Sequence, residues 1–181
     1  EGSPSQPNPN VNNNSIDDVL VGNSNGSVFL LNGTTGARIW TGSFNMTAPI
    51  SFLSFAQLDS DAYLEVIATA GNNISAINES MNLTWSPDLM PIAITLLSVG
   101  DVNGSYPGDE AVVGNSSGLS LINSSGSAVW NLTLPAQPYA LVIGDVNTSS
   151  IGLEIVYGLH NDPGTELNVT DANGINQWGV E

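Results

Sequence analysis

The chain has 181 residues, 41% apolar and 10% charged, with seventeen acidic residues against one basic residue and a formal net charge of −16. This length can bury a sizeable core. With Arg38 alone and no lysine, the chain cannot neutralise a nucleic-acid backbone or bind an anionic membrane surface. Cations are the partners that suit such a surface.

The sequence has no cysteine, which excludes disulfides, thiolate metal sites and cysteine nucleophiles. No apolar run reaches membrane-spanning length, so we expect no membrane insertion in this segment. The sequence starts at Glu1 without an initiating methionine, which indicates a processed product or a piece of a longer chain.

Four tryptophans mark an internal repeat. Trp40, Trp85, Trp130 and Trp178 are spaced 45, 45 and 48 residues apart. Around each one the same features recur: an apolar strand, an oxygen-rich loop that ends on an acid, a second apolar strand, a third strand, and a last strand that carries the tryptophan. The predicted leading strands are 50–58, 92–99 and 139–143, and the second strands begin at residues 19, 66, 111 and 155.

Four short strands per unit of about 45 residues predict an all-β fold, a β-propeller of four four-stranded blades. The blades are predicted at about 10–48, 49–90, 91–135 and 136–181, after an N-terminal arm or linker at 1–9. Each tryptophan is expected to pack in the core, where its ring covers the junction with a neighbouring blade.

The first repeat lacks its leading strand, which would leave an open strand edge beside residues 19–21. The tail at 179–181 is too short to fill it, and the arm at 1–9 of the same or a neighbouring chain is a candidate. A neighbour's arm would produce head-to-tail rings or filaments. The four blades either form a complete small ring or are part of a larger one.

Two segments resemble known propeller repeats. Residues 100–114, GDVNGSYPGDEAVVG, resemble the FG-GAP repeat of integrin alpha chains, and residues 26–40, GSVFLLNGTTGARIW, are similar to the quinoprotein (PQQ-type) repeat. The resemblance extends over nearly the whole chain and implies a propeller with calcium-binding loops. Such repeats serve adhesion proteins, lectins and enzymes, so they do not fix a function.

Oxygen ligands at alternate positions predict weak calcium sites in the loops. The third repeat offers Asp101, Asn103, Ser105, Asp109 and Glu110, with the Pro107 carbonyl. The fourth offers Asp145, Asn147, Ser149 and Glu154, with the Ile151 carbonyl, and the second offers Asp59, Asp61 and Glu65. The first has asparagines at 10, 12 and 14 before Asp18. All four lack an acid at the fifth position, and the other interpretation is that these side chains form turns with their own backbone.

The sequence contains thirteen N-x-Ser/Thr sequons, where chance would give roughly four. We therefore predict N-linked glycans, and hence an extracellular, cell-surface location. Two sequons, Asn103 and Asn147, compete with calcium ligation. The predicted glycosylation sites are Asn13, Asn25, Asn32, Asn45, Asn73, Asn78, Asn82, Asn115, Asn123, Asn131 and Asn168.

Catalytic chemistry is scarce: the single histidine, His160, stands in a turn-like HNDPG segment, and cysteine and lysine are absent. We therefore expect a non-enzymatic structural or adhesive glycoprotein, a filament or surface-array subunit that associates with itself or with other surface proteins and glycans. The composition resembles that of archaeal surface glycoproteins. The alternatives are a lectin- or integrin-like binding module and, behind it, an extracellular hydrolase using a carboxylate pair.

Overall fold

The computed structural model describes residues 11, 16–86, 92–147, 149, 152–161 and 164–180. Within them the secondary structure is antiparallel strand and turn, without a helix, which confirms the predicted all-β class. The strands are β1 (Val19–Gly22), β2 (Ser27–Leu31), β3 (Phe44–Asn45), β4 (Ile50–Ala56), β5 (Glu65–Ala70), β6 (Asn73–Ile77), β7 (Leu83–Trp85), β8 (Leu96–Gly100), β9 (Glu110–Asn115), β10 (Gly118–Ile122), β11 (Ala128–Thr133), β12 (Pro138–Gly144), β13 (Glu154–Asn161), β14 (Gly164–Thr170) and β15 (Asn176–Val180).

The strands form four sheets, here called blades 1 to 4, each a meander of strands that follow one another in sequence. Blade 1 is β1-β2-β3, blade 2 is β4 to β7, blade 3 is β8 to β11 and blade 4 is β12 to β15. Strand β4 contacts β1 on one side and β8 on the other, and β8 contacts β12. The blades therefore stack in chain order, with the leading strands of blades 2, 3 and 4 side by side and β1 of blade 1 beside β4.

Blade 1 lacks a leading strand among the described residues, so β1 is the sheet edge. The consequence is visible in burial, because β1 is largely exposed whereas the corresponding strands β5 and β9 are buried along their whole length. The predicted arm at 1–9 lies outside the described residues.

Blade 1 also departs from the predicted strand at its outer end. The sequence predicted a last strand at 38–40, but Arg38 forms only an isolated bridge with Leu31, and β3 begins at Phe44. The intervening Thr41-Gly42-Ser43 segment includes glycine and small polar residues that support a strand poorly. His160, predicted in a turn, lies instead in β13, where it pairs with Thr165.

Each pair of successive blades is joined by a seam, meaning the apolar cluster between two blades together with the tryptophan that crosses it. Three buried clusters fill the seams between blades 1 and 2, 2 and 3, and 3 and 4. Across each seam an indole Nε1 donates to a carbonyl of the next blade: Trp40 to Glu79 O (2.9 Å), Trp85 to Ser124 O (2.8 Å) and Trp130 to Ala172 O (2.8 Å).

The prediction that every tryptophan packs in the core is wrong for Trp178, which is 43% exposed. The reason is positional, because Trp178 belongs to blade 4 and no fifth blade follows it within the described residues. Among these residues, no helix is long and apolar enough to cross a bilayer.

Candidate functional site

A buried acid closes each loop between the first and second strands of a blade. Glu110 Oε2 accepts the backbone N–H groups of Val102 and Asn103, both at 3.0 Å. Glu154 Oε2 accepts those of Val146 and Asn147 at 3.0 and 2.9 Å, and Glu65 Oε2 accepts that of Leu58 at 2.8 Å. The acid therefore works first as a clamp that holds its loop onto the second strand.

Burial changes the protonation of Glu65 and Glu110. The pKa of Glu65 is raised from 4.5 to about 7, mainly by burial and in smaller part by the negative charges of Asp59 and Asp61, against the hydrogen bond from Leu58, which lowers it. Burial likewise raises the pKa of Glu110 to about 7, with smaller contributions from Asp101 and Asp109. Each of these carboxyls also keeps one buried oxygen, Oε1, with no hydrogen-bond partner.

The second loop brings three carboxylates together. One oxygen each from Asp59, Asp61 and Glu65 lies within 4.8 Å of the others. Asp59 Oδ1 accepts the Asp61 N–H at 2.8 Å and Asp61 Oδ1 accepts the Tyr63 N–H at 2.7 Å, so the turn itself orients both aspartates. All three predicted residues of this loop are thus in one place, with the orphan oxygen of Glu65 beneath them.

The third loop, which had the fullest predicted ligand set, is arranged differently. Asp109 turns away to blade 2: its Oδ2 accepts the Gln57 N–H at 2.8 Å, and its own N–H donates to Gln57 O at 2.6 Å. Asn103 Oδ1 accepts the Ser105 N–H at 3.1 Å, which is a turn contact. Asp101 is exposed at the loop surface.

The fourth loop repeats the turn of the third, since Asn147 Oδ1 accepts the Ser149 N–H at 3.2 Å. Asp145 is exposed, and Ile151 lies outside the described residues. In the first loop, Asp18 Oδ2 accepts the Val11 N–H at 2.9 Å, while residues 10, 12 and 14 lie outside the described part. Across the described residues, three acids converge in the second loop alone.

A cleft of about 470 Å³ opens beside the second loop, at the junction of blades 2 and 3. Asp59, Asp61 and Glu65 form one wall, and Asn78, Pro107 and Ser124 contribute to the others. The cleft therefore combines a strongly acidic side with hydrogen-bonding groups from two blades, which makes it the candidate binding site of the described chain.

Gln57 is a residue of this site that the sequence did not reveal. Its Nε2 donates to Asp61 O (3.0 Å) and Tyr63 O (3.3 Å), so it braces the second loop, while its backbone is bound by Asp109 of the third. One residue thus joins the two loops across the seam. The strand registers place Asp101 and Asp145 at the corresponding positions of the third and fourth repeats, so no glutamine recurs there and the repeat pattern held no signal for it.

The sequons lie at three kinds of position. Asn32, Asn78 and Asn123 begin outer turns, where Oδ1 accepts the N–H two residues later at 3.0 to 3.2 Å and Nδ2 remains for a glycan. Asn25, Asn45, Asn82 and Asn131 are exposed, and Asn73 is half-buried. Asn115 is buried, and Nδ2 of Asn168 is buried in the middle of β14 rather than in a turn. Asn13 lies outside the described residues.

No family model and no curated protein matches the sequence. Solved structures do match. BBS1N in complex with ARL6DN is 15% identical with a TM-score of 0.69, over 90% of this chain and 49% of that one. The Pan2 WD40 domain of Neurospora crassa is 16% identical with a TM-score of 0.64, over 90% and 46%. A rhamnogalacturonan lyase of Bacillus licheniformis is 19% identical with a TM-score of 0.64, over 85% and 30%.

This chain thus spans about half of the first two structures and less than a third of the lyase. Identities this low establish the fold and nothing finer. The chain is an all-β protein with the blade architecture of a β-propeller.

Proposed function

We propose that this chain is a protein-binding propeller segment of an extracellular, N-glycosylated adhesive or structural surface protein, whose cleft between blades 2 and 3 is ordered by calcium. The observation that carries the proposal is the convergence of Asp59, Asp61 and the buried Glu65 on one side of that cleft. A protein partner is favoured because BBS1N, which has the same blade architecture, was solved in complex with ARL6DN. The chain has one histidine, one arginine, and no lysine or cysteine, so imidazole and amine bases and thiol nucleophiles for catalysis are scarce.

The three carboxylates fit a hard divalent cation. Calcium binds oxygen ligands at about 2.3–2.6 Å, so oxygens within 4.8 Å of each other can share one ion. Glu65 Oε1 is buried without a partner and gains one in the ion. Three close acids without a cation repel one another, and the bound ion offsets that repulsion and fixes the loop.

The test of the metal site is thermal unfolding with and without calcium, on the wild-type chain and on Glu65→Gln. The wild-type chain should gain stability as calcium is added, and Glu65→Gln should lose most of that gain. Glu79→Gln is the matched control, because Glu79 lines the same cleft but is outside the converging group. An equal calcium response in Glu65→Gln and in the wild type would remove the metal from the proposal.

The positions of the sequons support the proposed glycosylation and, with it, the proposed extracellular location. Sequons on outer turns keep their turn hydrogen bonds when Nδ2 is modified, so glycans at Asn32, Asn78 and Asn123 cost the fold little. Glycopeptide mapping of the protein from its natural source should show modification at these sites and at the exposed Asn82 and Asn131, but not at Asn168. A mass equal to that of the bare polypeptide would contradict the proposed location.

A carbohydrate ligand is the second candidate, favoured by the hydroxyl and amide groups of Asn78, Thr84, Ser124 and Ser125 that line the cleft. Glycan-array binding that requires calcium and is lost in Ser124→Ala would favour it. Capture of a protein partner from the cell surface, blocked by Glu65→Gln, would favour the protein-binding module.

A further inference from the structure

We propose that the two outer faces of the blade stack are the two halves of a fourth seam, and that a second copy of this chain occupies each of them in a head-to-tail association. The two faces are the outer sides of blades 1 and 4, apart from the proposed calcium site between blades 2 and 3. The strand registers define which positions in the four blades are equivalent.

The first half is the face of blade 1 that looks away from blade 2. Val66 of β5 pairs with Ile77, and Val19 of β1 pairs with Leu31 at the same place in the repeat. Val66 and Ala68 are completely buried against blade 1, as are Ala111 and Val113 against blade 2. Their equivalents in blade 1, Val19 and Val21, are 48% and 38% exposed. Val19 and Val21 therefore occupy seam positions, but within the described residues no blade precedes blade 1 to cover them.

The second half is the opposite face of blade 4. Leu119 pairs with Gly114 and is 2% exposed in the seam between blades 3 and 4, whereas Leu167, paired with Gly158, is 39% exposed. Trp178 has the position in blade 4 that Trp130 has in blade 3, because Trp178 pairs with Val169 and Trp130 pairs with the equivalent residue Leu121. Residues paired directly across strands share a face, so Leu167, Trp178, Val142 and Val180 form one exposed apolar surface.

The two halves are complementary in hydrogen bonding as well. In every internal seam the indole donates to a carbonyl in an outer turn of the next blade. The three turns begin at Asn78, Asn123 and Asp171, and the acceptor is in each case the second residue of the turn. The corresponding turn of blade 1 begins at Asn32, and its second residue, the exposed Gly33, has no tryptophan from a preceding blade within the described chain. Trp178 is the donor that matches this carbonyl.

A second copy is the occupant because one chain carries both halves. Blade 4 of one copy then meets blade 1 of another through contacts already used three times inside each copy. Such an interface joins two different surfaces, so it is heterologous and continues until a ring closes or a filament grows. Exposed apolar surface of this kind is what association would bury.

The test is a pair of variants, each blocking one half. Val21→Asp places a charge on the blade 1 face and Leu167→Asp places one on the blade 4 face. By light scattering coupled to gel filtration, the wild-type chain should have at least twice the mass of the single chain, and each variant alone should be a monomer, because every copy then lacks the same half of the interface. An equimolar mixture of the two variants should give a dimer, because each supplies the half that the other has lost.

Leu83→Asp is the matched control, since Leu83 is 53% exposed on β7 of an internal blade. It should assemble like the wild type, and circular dichroism should show all three variants folded. A wild-type chain that stays monomeric across the concentration series would overturn the proposal, and would mean that blades of another chain or of a longer polypeptide complete the stack. Assembly that persists in both Val21→Asp and Leu167→Asp would also overturn the proposal.

Discussion

At the scale of single residues, the loops depend on acids that are buried to a degree unusual for their type. Glu110 is fully buried and yet holds two backbone N–H groups with one oxygen while the other oxygen has no partner. The sequence located these residues correctly at the end of each loop but offered them as calcium ligands. That they clamp their own loop follows from tertiary burial, which local spacing does not encode.

The raised pKa of Glu110 predicts how stability depends on pH. Between pH 4.5 and about 7 the folded chain binds more protons at this carboxyl than the unfolded chain does, so its contribution to stability falls as the pH rises. Glu110→Gln keeps an acceptor oxygen and removes the buried charge. In calcium-free buffer it should raise the free energy of unfolding at pH 8 by about 1–3 kcal/mol.

At pH 4.5 the same substitution should have little effect, because the wild-type carboxyl is then protonated in the folded chain. Urea unfolding at the two pH values measures both quantities, and Glu166→Gln serves as a less buried control. A stability gain of the same size at both pH values would show that the buried charge is not its cause.

At the scale of elements, the seam is the unit that organises the chain. The spacing of the tryptophans predicted that their rings would cover blade junctions, and three of them do so through a hydrogen bond to the next blade. What spacing could not predict is the irregular path after Arg38 or the Gln57–Asp109 contact, because both depend on what a neighbouring blade presents.

A matched pair of substitutions measures how much the tryptophan hydrogen bond across a seam contributes to the free energy of unfolding. Trp130→Phe removes the indole N–H that donates to Ala172 O and keeps an aromatic ring, so it should lower the free energy of unfolding by about 1 kcal/mol. Trp178→Phe, in dilute protein, should change it by much less, because Trp178 has no following blade in the described chain. Equal losses in the two variants would contradict the assignment of Trp178 to an open face.

At the scale of the whole molecule, charge opposes the association that the open faces favour. Each copy has a net charge of −16, so two copies repel at low ionic strength. The screening length falls from about 30 Å at 0.01 M salt to about 8 Å at 0.15 M. We therefore predict that self-association strengthens several-fold over this range, as measured by sedimentation at a series of chain concentrations. Association that weakens with salt would indicate an ionic interface instead of apolar faces.

The overall charge and the four-unit repeat were readable from the sequence because they depend on counting. The sequence does not reveal whether the ring closes. Val19 has the same side chain as Val66, and Leu167 has the same side chain as Leu119. The first residue of each pair is exposed and the second is buried by the blade opposite it.

The central claim, that blade 4 of one copy meets blade 1 of another as a seam, is tested most directly by cysteine cross-linking, which the absence of native cysteine makes specific. Thr34→Cys lies beside Gly33 and Gln177→Cys beside Trp178, at the positions that Ser125 and Thr84 hold in the seam between blades 2 and 3. A short bis-maleimide should join a mixture of the two single-cysteine variants into a dimer about as efficiently as it closes Thr84→Cys/Ser125→Cys within one chain. If the mixture cross-links no more than one containing Ser60→Cys in place of Thr34→Cys, the two faces do not form a seam and the account is wrong.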